Sequence, residues 1–195
     1  MASKEQVEKL LTLFNGITEL TDEDVLLGVN DASHFLHYAA NNRNESMSVE
    51  QLFKDTKEKR RWSIVNPGFI LSLAYSYFVF GYERKLIKEF CFQSWLRKIT
   101  VEHNDFDEMS IKKKSDFLKR RLRNSIAHCS FKVEIRSSSG RIETDGDLWF
   151  VFFDENRNGN DKVKIEINLP DFGNILEEVG ELCFRKLKPI SGVNG

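Results

Sequence analysis

The spacing of apolar residues changes from a helical period to an alternating one just after Ser130, and this change limits the fold more than any other feature. Before it, apolar side chains recur every three or four residues, as on one face of a helix. After it they alternate through 131–135 and 163–167 and run unbroken through 148–153, as in strands of a small sheet. A final helix is predicted from Pro170. The pattern predicts a mainly α fold with a small antiparallel sheet inserted before the C-terminal helix.

The helical part is predicted to begin with two amphipathic helices, one from Lys4 to Phe14 and one after Asp31. Pro67 then opens a strongly apolar helix that is expected to continue, with a bend at Gly81, toward Lys98. We expect one domain over residues 1–195, in which 1–30 form an accessory helix and 131–168 form a β elaboration. An apolar content of 41% is ample for its core.

The three cysteines of the chain lie far apart, so the sequence predicts neither a disulfide framework nor a CxxC metal or redox site. The first residues have no apolar signal core, and the longest apolar stretch, 68–82, is too short and too interrupted to span a bilayer. We therefore expect a cytoplasmic protein with no membrane association, no metal and no cofactor.

Ser110 is predicted to cap the next helix, because its hydroxyl can accept a backbone N–H of the first turn. The apolar residues of this helix form a stripe that is expected to face the core: Ile111, Leu118, Leu122, Ile126 and Cys129. Arg123 falls about 110° to one side of the stripe and His128 about 110° to the other. Asn124 lies between them on the outward face, four residues before His128, and is predicted to hydrogen-bond and orient the imidazole.

The same helix concentrates positive charge. Residues 112–123 hold seven Lys or Arg against Asp116 alone, which gives +6, whereas the whole chain carries −1. Such an asymmetry concentrates attraction for an anion at one place. The alternative is a solvated helix face with no bound anion, or a basic helix that contacts anionic surfaces without preference.

Arginine and histidine together suit cleavage of a phosphodiester. Metal-free cleavage of RNA needs a base for the 2′-hydroxyl, an acid for the leaving oxygen and a cation for the charge on the phosphate oxygens. One chain supplies a single His128 for these two proton transfers. A twofold dimer joined along the outward strip would supply two copies of His128 and of Arg123, so stoichiometry predicts a homodimer.

The segment Arg123-Asn-Ser-Ile-Ala-His128 resembles the HEPN superfamily, whose members carry an arginine, four to six residues and a histidine near a helix end, commonly with asparagine after the arginine. The resemblance implies an antiparallel helical bundle, a dimer with a composite cleft, and metal-independent endoribonuclease activity that leaves a cyclic phosphate. Arg123, Asn124 and His128 would be its catalytic residues. Lys119, Arg120 and Arg121 are predicted to bind the RNA.

Many HEPN proteins are similar to toxins or antiviral effectors, so the resemblance also implies an antitoxin protein as a partner. Some relatives bind without cutting. The alternative function is therefore a non-catalytic HEPN-like module that pairs with an antitoxin or regulatory protein, or binds RNA, through the same outward strip.

Two other sequence patterns resemble parts of metal sites. A run with oxygen-bearing side chains and a glycine matches the first half of a calcium loop, but position twelve is Ile165, so a hairpin turn is preferred: Asp154, Asn156, Asn158, Gly159 and Asn160. His34 and His37 share a predicted helix face without an evident third metal ligand, so a partly buried pair is preferred.

Aromatic residues are dense between 69 and 82, where core packing is preferred over surfaces on which bases stack. Tyr82 and Glu83, near the end of this cluster, are predicted to line a cleft.

Overall fold

A computed structural model describes residues 18–19, 21, 66–139, 142–156 and 158–186. The chain divides into two compact units, one of Met1–Leu73 with Val133–Leu148 and the other of Ala74–Lys132 with Trp149–Gly195. The predicted helices before residue 66, and with them His34 and His37, lie outside the described residues. The single-domain organisation over 1–195 stays a prediction.

In the first unit, strand β1 (Thr18–Glu19) pairs antiparallel with β3 (Phe131–Ile135), so that Thr18 lies opposite Ile135. A single 3₁₀ turn, Asp145–Asp147, precedes β4. The Asp147 carboxylate accepts the backbone N–H groups of Glu143 and Thr144 at 2.9 and 2.8 Å. These hydrogen bonds lower the pKa of Asp147 and fix the turn that leads into β4.

Helix α1 (Pro67–Ala74) continues through a π-helical segment, Tyr75–Phe80, into the short helix α2 (Gly81–Glu83). The predicted helix to Lys98 is therefore wrong beyond Glu83. The chain leaves the helix because Lys85 adopts a φ of 60° and the Leu86 N–H donates back to the Gly81 carbonyl at 2.8 Å. Gly81 itself is helical, and a Cβ there would lie 3.3 Å from the Ile87 side chain.

The sheet of the second unit is antiparallel, and β5 (Lys162–Asn168) lies between β4 (Leu148–Glu155) and β2 (Thr100–Glu102). Ile165 of β5 lies opposite Phe152 on one side and Val101 on the other. Strand β2 was not predicted, because three residues are too few to show an alternating period.

Helix α4 (Leu169–Lys186) covers one face of this sheet. The Phe172 ring lies 5.1 Å from that of Phe150 and 5.3 Å from that of Phe152. Five phenylalanines in this core are fully buried: Phe78, Phe92, Phe150, Phe152 and Phe172. No helix within the described residues has both the length and the apolar content to cross a membrane.

The predicted mainly α, antiparallel helical bundle is contradicted: the described chain is a mixed α/β structure. The predicted strands are present, but the sheet that they form contributes more of the hydrophobic core than a small insertion would. Phe150 and Phe152 of β4 pack on Phe172 of α4, which also stacks on Phe78, and the inward side chains of β5 are buried, so the sheet forms a layer of the hydrophobic core.

Candidate active site

The helix that carries the basic segment, α3, runs over Ile111–Ala127. Its predicted cap is confirmed, since the Ser110 hydroxyl accepts the Lys113 N–H at 3.4 Å. The predicted core stripe is confirmed at its centre, where three residues are almost fully buried: Leu118, Leu122 and Ile126. It fails at its ends. Ile111 is 46% exposed, and Cys129 is exposed because its φ of 51° takes it off the helical path.

His128 follows the last residue of α3, with an exposed side chain. Its backbone N–H donates to the Asn124 carbonyl at 3.0 Å. The imidazole makes no hydrogen bond to any residue that the structure describes.

Arg123 is held across the helix surface by two oxygen acceptors. Its Nη2 donates to Oε1 of Glu83, on α2, and its Nη1 donates to Oδ1 of Asn124 at 3.1 Å. The side chain is 29% exposed, and its Nε is buried with no hydrogen-bond partner among the described residues. The guanidinium thus reaches the surface in a defined position with its charge paired to Glu83.

Asn124 does not have the predicted partner. Its Nδ2 donates to Oδ2 of Asp154 at 3.3 Å, and its Oδ1 accepts from Arg123. No hydrogen bond joins Asn124 to His128 within the described part of the chain. The carboxamide lies between Arg123 and the sheet, because Asp154 approaches from the end of β4.

Of the three residues predicted to bind RNA, only Arg120 has an exposed side chain. Lys119 is 4% exposed, and its Nζ donates to the Lys88 carbonyl and to Asp116, both at 2.9 Å. Arg121 is also 4% exposed. The structure therefore turns Lys119 and Arg121 inward, toward hydrogen bonds within the protein, and their contact with RNA stays a prediction.

Arg121 binds two carboxylates of the β4–β5 hairpin. Its Nη1 donates to Oδ2 of Asp154 at 2.7 Å and its Nη2 to Oδ2 of Asp161, while the guanidinium lies 5.0 Å from the Phe117 ring centroid. Burial by itself would lower the pKa of Arg121, but the hydrogen bonds to Asp161 and Asp154 outweigh burial and raise it. Because Asp154 also accepts from Asn124, this buried ion pair supports the motif directly.

His103 extends the same network and was not identified from the sequence. Its Nδ1 accepts the Asp105 N–H at 3.3 Å, and its Nε2 lies 3.1 Å from Oδ1 of Asp161. One signal was available. A +6 helix needs counter-charges, and the preferred hairpin placed Asp154 and Asp161 on either side of one turn.

The hairpin interpretation of that turn is confirmed. Oδ1 of Asn156 accepts the N–H groups of Asn160 and Asp161 at 3.0 and 3.3 Å, and Gly159 has a φ of +70°. Within the described residues, no three His, Cys, Asp or Glu side chains are grouped so that they could hold a metal ion.

Tyr82 and Glu83 line a cleft, as predicted. Its volume is about 430 Å³, and its other walls include Lys85, Ile87 and Lys88. Glu83, whose carboxylate binds Arg123, is thus one wall of this cleft.

The Asp161 ion pair predicts an acid-dependent loss of stability. The hydrogen bond from Arg121 lowers the pKa of Asp161, so the pair stabilises the fold above about pH 4, the pKa of an unfolded aspartate, and is lost as pH falls through the lower, folded value. Asp161→Asn should unfold at a lower temperature near pH 7 and lose less stability on acidification. Thermal melts between about pH 7 and pH 2 check this. Parallel curves for the two proteins would show that the pair contributes nothing.

Comparison with known proteins places almost the whole chain in one family model. The model described as HEPN pEK499 p136 matches residues 18–189, which include α3 and the hairpin. No curated protein and no solved structure matches the chain.

Proposed function

The chain belongs to the HEPN pEK499 p136 family, and from this premise we propose that it is an endoribonuclease that cuts RNA without a metal ion. The observation that carries the proposal is the arrangement of Arg123 and His128. One is a cation fixed by Glu83 and Asn124, and the other is an exposed imidazole without a partner in the described structure. A toxin or antiviral effector is the biological role we propose for such an activity.

Each residue has a distinct task in this reaction. His128 removes the proton of the 2′-hydroxyl or gives one to the leaving 5′-oxygen, and Arg123 binds the phosphate and stabilises the charge that grows on its oxygens. The attack forms a bond from the 2′-oxygen to phosphorus and breaks the bond to the 5′-oxygen, so one product ends in a cyclic phosphate. Asn124, between Arg123 and Asp154, positions the guanidinium.

A complete site requires two proton-transfer groups, and one chain provides a single histidine of this motif. We propose that a second copy of the chain brings its own Arg123 and His128 to the same phosphate. Because residues on a twofold axis meet their own copies, a single motif then provides both the acid and the base.

Incubation of purified protein with mixed RNA tests the activity. We expect equal cleavage in EDTA and in Mg²⁺, with cyclic phosphate ends that acid opens to a mixture of 2′- and 3′-phosphates. Cleavage that stops in EDTA and returns with Mg²⁺ would contradict the metal-independent mechanism.

A second function is favoured by the Glu83 contact. Arg123 is already paired with a carboxylate in the described structure, as it would be in a protein that uses this surface to bind an antitoxin or regulatory partner without cutting RNA. Glu83→Gln distinguishes the two functions, because it keeps an oxygen acceptor for Arg123 and removes the negative charge. A ribonuclease should bind RNA more tightly after this change, whereas a module specific for a protein should show no RNA binding in either form.

A further inference from the structure

Two aromatic side chains are exposed on the helical segment that leads to Glu83. Tyr75 is 54% exposed and Phe80 is 55% exposed, whereas Phe78 between them is fully buried. The aromatic cluster in the sequence therefore has two roles: part of it fills the core, as preferred, and part of it faces solvent. Single exposed aromatic residues are common, so exposure alone does not indicate a binding surface.

The π-helical geometry brings the two rings to one side of the segment. In an α-helix, residues five apart point about 140° away from each other, since each residue turns by about 100°. Here the Gly81 N–H donates to the carbonyl of Ser76, five residues before it, so the segment is wound more widely than an α-helix and residues five apart point in more similar directions. Tyr75 and Phe80, both exposed, consequently lie on the same side of the segment. Such segments within α-helices occur frequently at functional sites.

A third side chain continues the pair. The Arg84 guanidinium lies 5.3 Å from the centroid of the Phe80 ring. We call Tyr75, Phe80 and Arg84 the aromatic stripe. The guanidinium lies over one face of this ring, and both an aromatic ring and a guanidinium are planar groups on which nucleobases stack.

The aromatic stripe ends beside the proposed active site. Glu83 follows Phe80 by three residues, so the two side chains are neighbours on the helix surface, and Glu83 binds Arg123. Two more cations, Lys85 and Lys88, are exposed just after Arg84 and line the cleft that contains Glu83. A stripe of rings bordered by cations fits a single-stranded polyanion with accessible bases.

We propose that the aromatic stripe binds single-stranded RNA by stacking its bases and leads the strand to Arg123 and His128; this inference rests on the proposed ribonuclease function. A second copy of the chain is the less suitable occupant. Interface cores between proteins are depleted of lysine, whereas Lys85 and Lys88 are both exposed close to Phe80 in the chain. Duplex RNA is excluded as the preferred ligand because its bases are stacked on each other.

The test uses His128→Ala protein as the parent, so that bound RNA is not cut, and measures its affinity for a fluorescent single-stranded oligonucleotide. Phe80→Leu keeps an apolar side chain but removes the ring, and is expected to weaken binding by about tenfold or more. Phe80→Trp should retain or improve the affinity. Ile142→Ala, which removes another exposed apolar side chain, should leave it unchanged. With 2-aminopurine in the oligonucleotide, stacking should quench its fluorescence, and Phe80→Leu should remove the quenching.

Equal affinity and equal quenching in the Phe80→Leu and parent proteins would overturn the proposal. The proposal would also be overturned if light scattering showed that Phe80→Leu dissociates a dimer and this dissociation fully explained the weaker RNA binding. The stripe would then be a contact between two copies of the chain. The ribonuclease function is judged separately, by cleavage in the unmodified chain. If the protein cuts RNA and Phe80→Leu does not change its RNA affinity, only the role of the aromatic stripe is refuted. If Phe80→Leu weakens RNA binding and the unmodified chain does not cut RNA, only the ribonuclease function is refuted.

Discussion

Alanine in place of His128 is expected to slow RNA cleavage by about 10²- to 10⁴-fold, the range for loss of a general acid or base. The imidazole has no hydrogen-bond partner among the described residues and its side chain is exposed, so its removal should leave the melting temperature nearly unchanged. Single-turnover rates with excess protein isolate the chemical step from product release. A His128→Ala protein that cuts at the parent rate would remove His128 from the mechanism.

His103→Gln is the matched control for this variant. His103 is also an imidazole of the same unit, but its Nε2 lies 3.1 Å from Asp161 and its role is in the hairpin network. Glutamine retains a donor that can reach the carboxylate. Because the hydrogen bond to Asp161 is kept, His103→Gln should change the stability little. Its cleavage rate should therefore stay within about twofold of the parent rate.

Methionine in place of Arg121 is expected to destabilise the protein by about 3–5 kcal/mol, the usual cost of removing one partner of a buried ion pair. The side chain is only 5% exposed, and the carboxylates of Asp154 and Asp161 would both lose their cation. Urea unfolding measures the change. Arg120→Met is the control, because Arg120 is the exposed neighbour, and should change stability by no more than about 0.5 kcal/mol.

A second substitution distinguishes the loss of the ion-pair attraction from the cost of leaving a buried carboxylate without a cation. Asp154→Asn in the Arg121→Met protein removes one unpaired carboxylate, so it should recover part of the lost stability, whereas Asp154→Asn alone should destabilise. Equal stability of Arg121→Met and Arg120→Met would contradict the buried ion pair. Since Asp154 also binds Asn124, Arg121→Met should further slow cleavage through the position of Arg123.

The local features of α3 could be predicted from the sequence, because they depend on neighbouring residues. Ser110 caps the helix and Leu118, Leu122 and Ile126 face the core, as expected. The direction of Arg121 could not be predicted in the same way. Its partners, Asp154 and Asp161, lie 33 and 40 residues later in the chain, and only the pairing of β4 with β5 brings them to α3.

The fold class illustrates the same limit at a larger scale. A continuous apolar run identifies β4 and an alternating pattern identifies β5, but neither shows that Phe150 and Phe152 share a core with Phe172 of α4. The contacts at the candidate site could not be predicted in the same way. The spacing of Asn124 and His128 suggested a hydrogen bond between them, but Asp154 and Arg123 occupy the carboxamide instead.

The central claim is that Arg123 and His128 act on one phosphate from two copies of the chain. Co-expression of unmodified and His128→Ala chains with different tags, followed by purification through both tags, yields dimers that carry a single His128. Because the two histidines serve one phosphate as acid and base, the mixed dimer should cut RNA almost as slowly as the His128→Ala dimer. A mixed dimer that keeps about half the activity of the unmodified dimer would contradict the shared site.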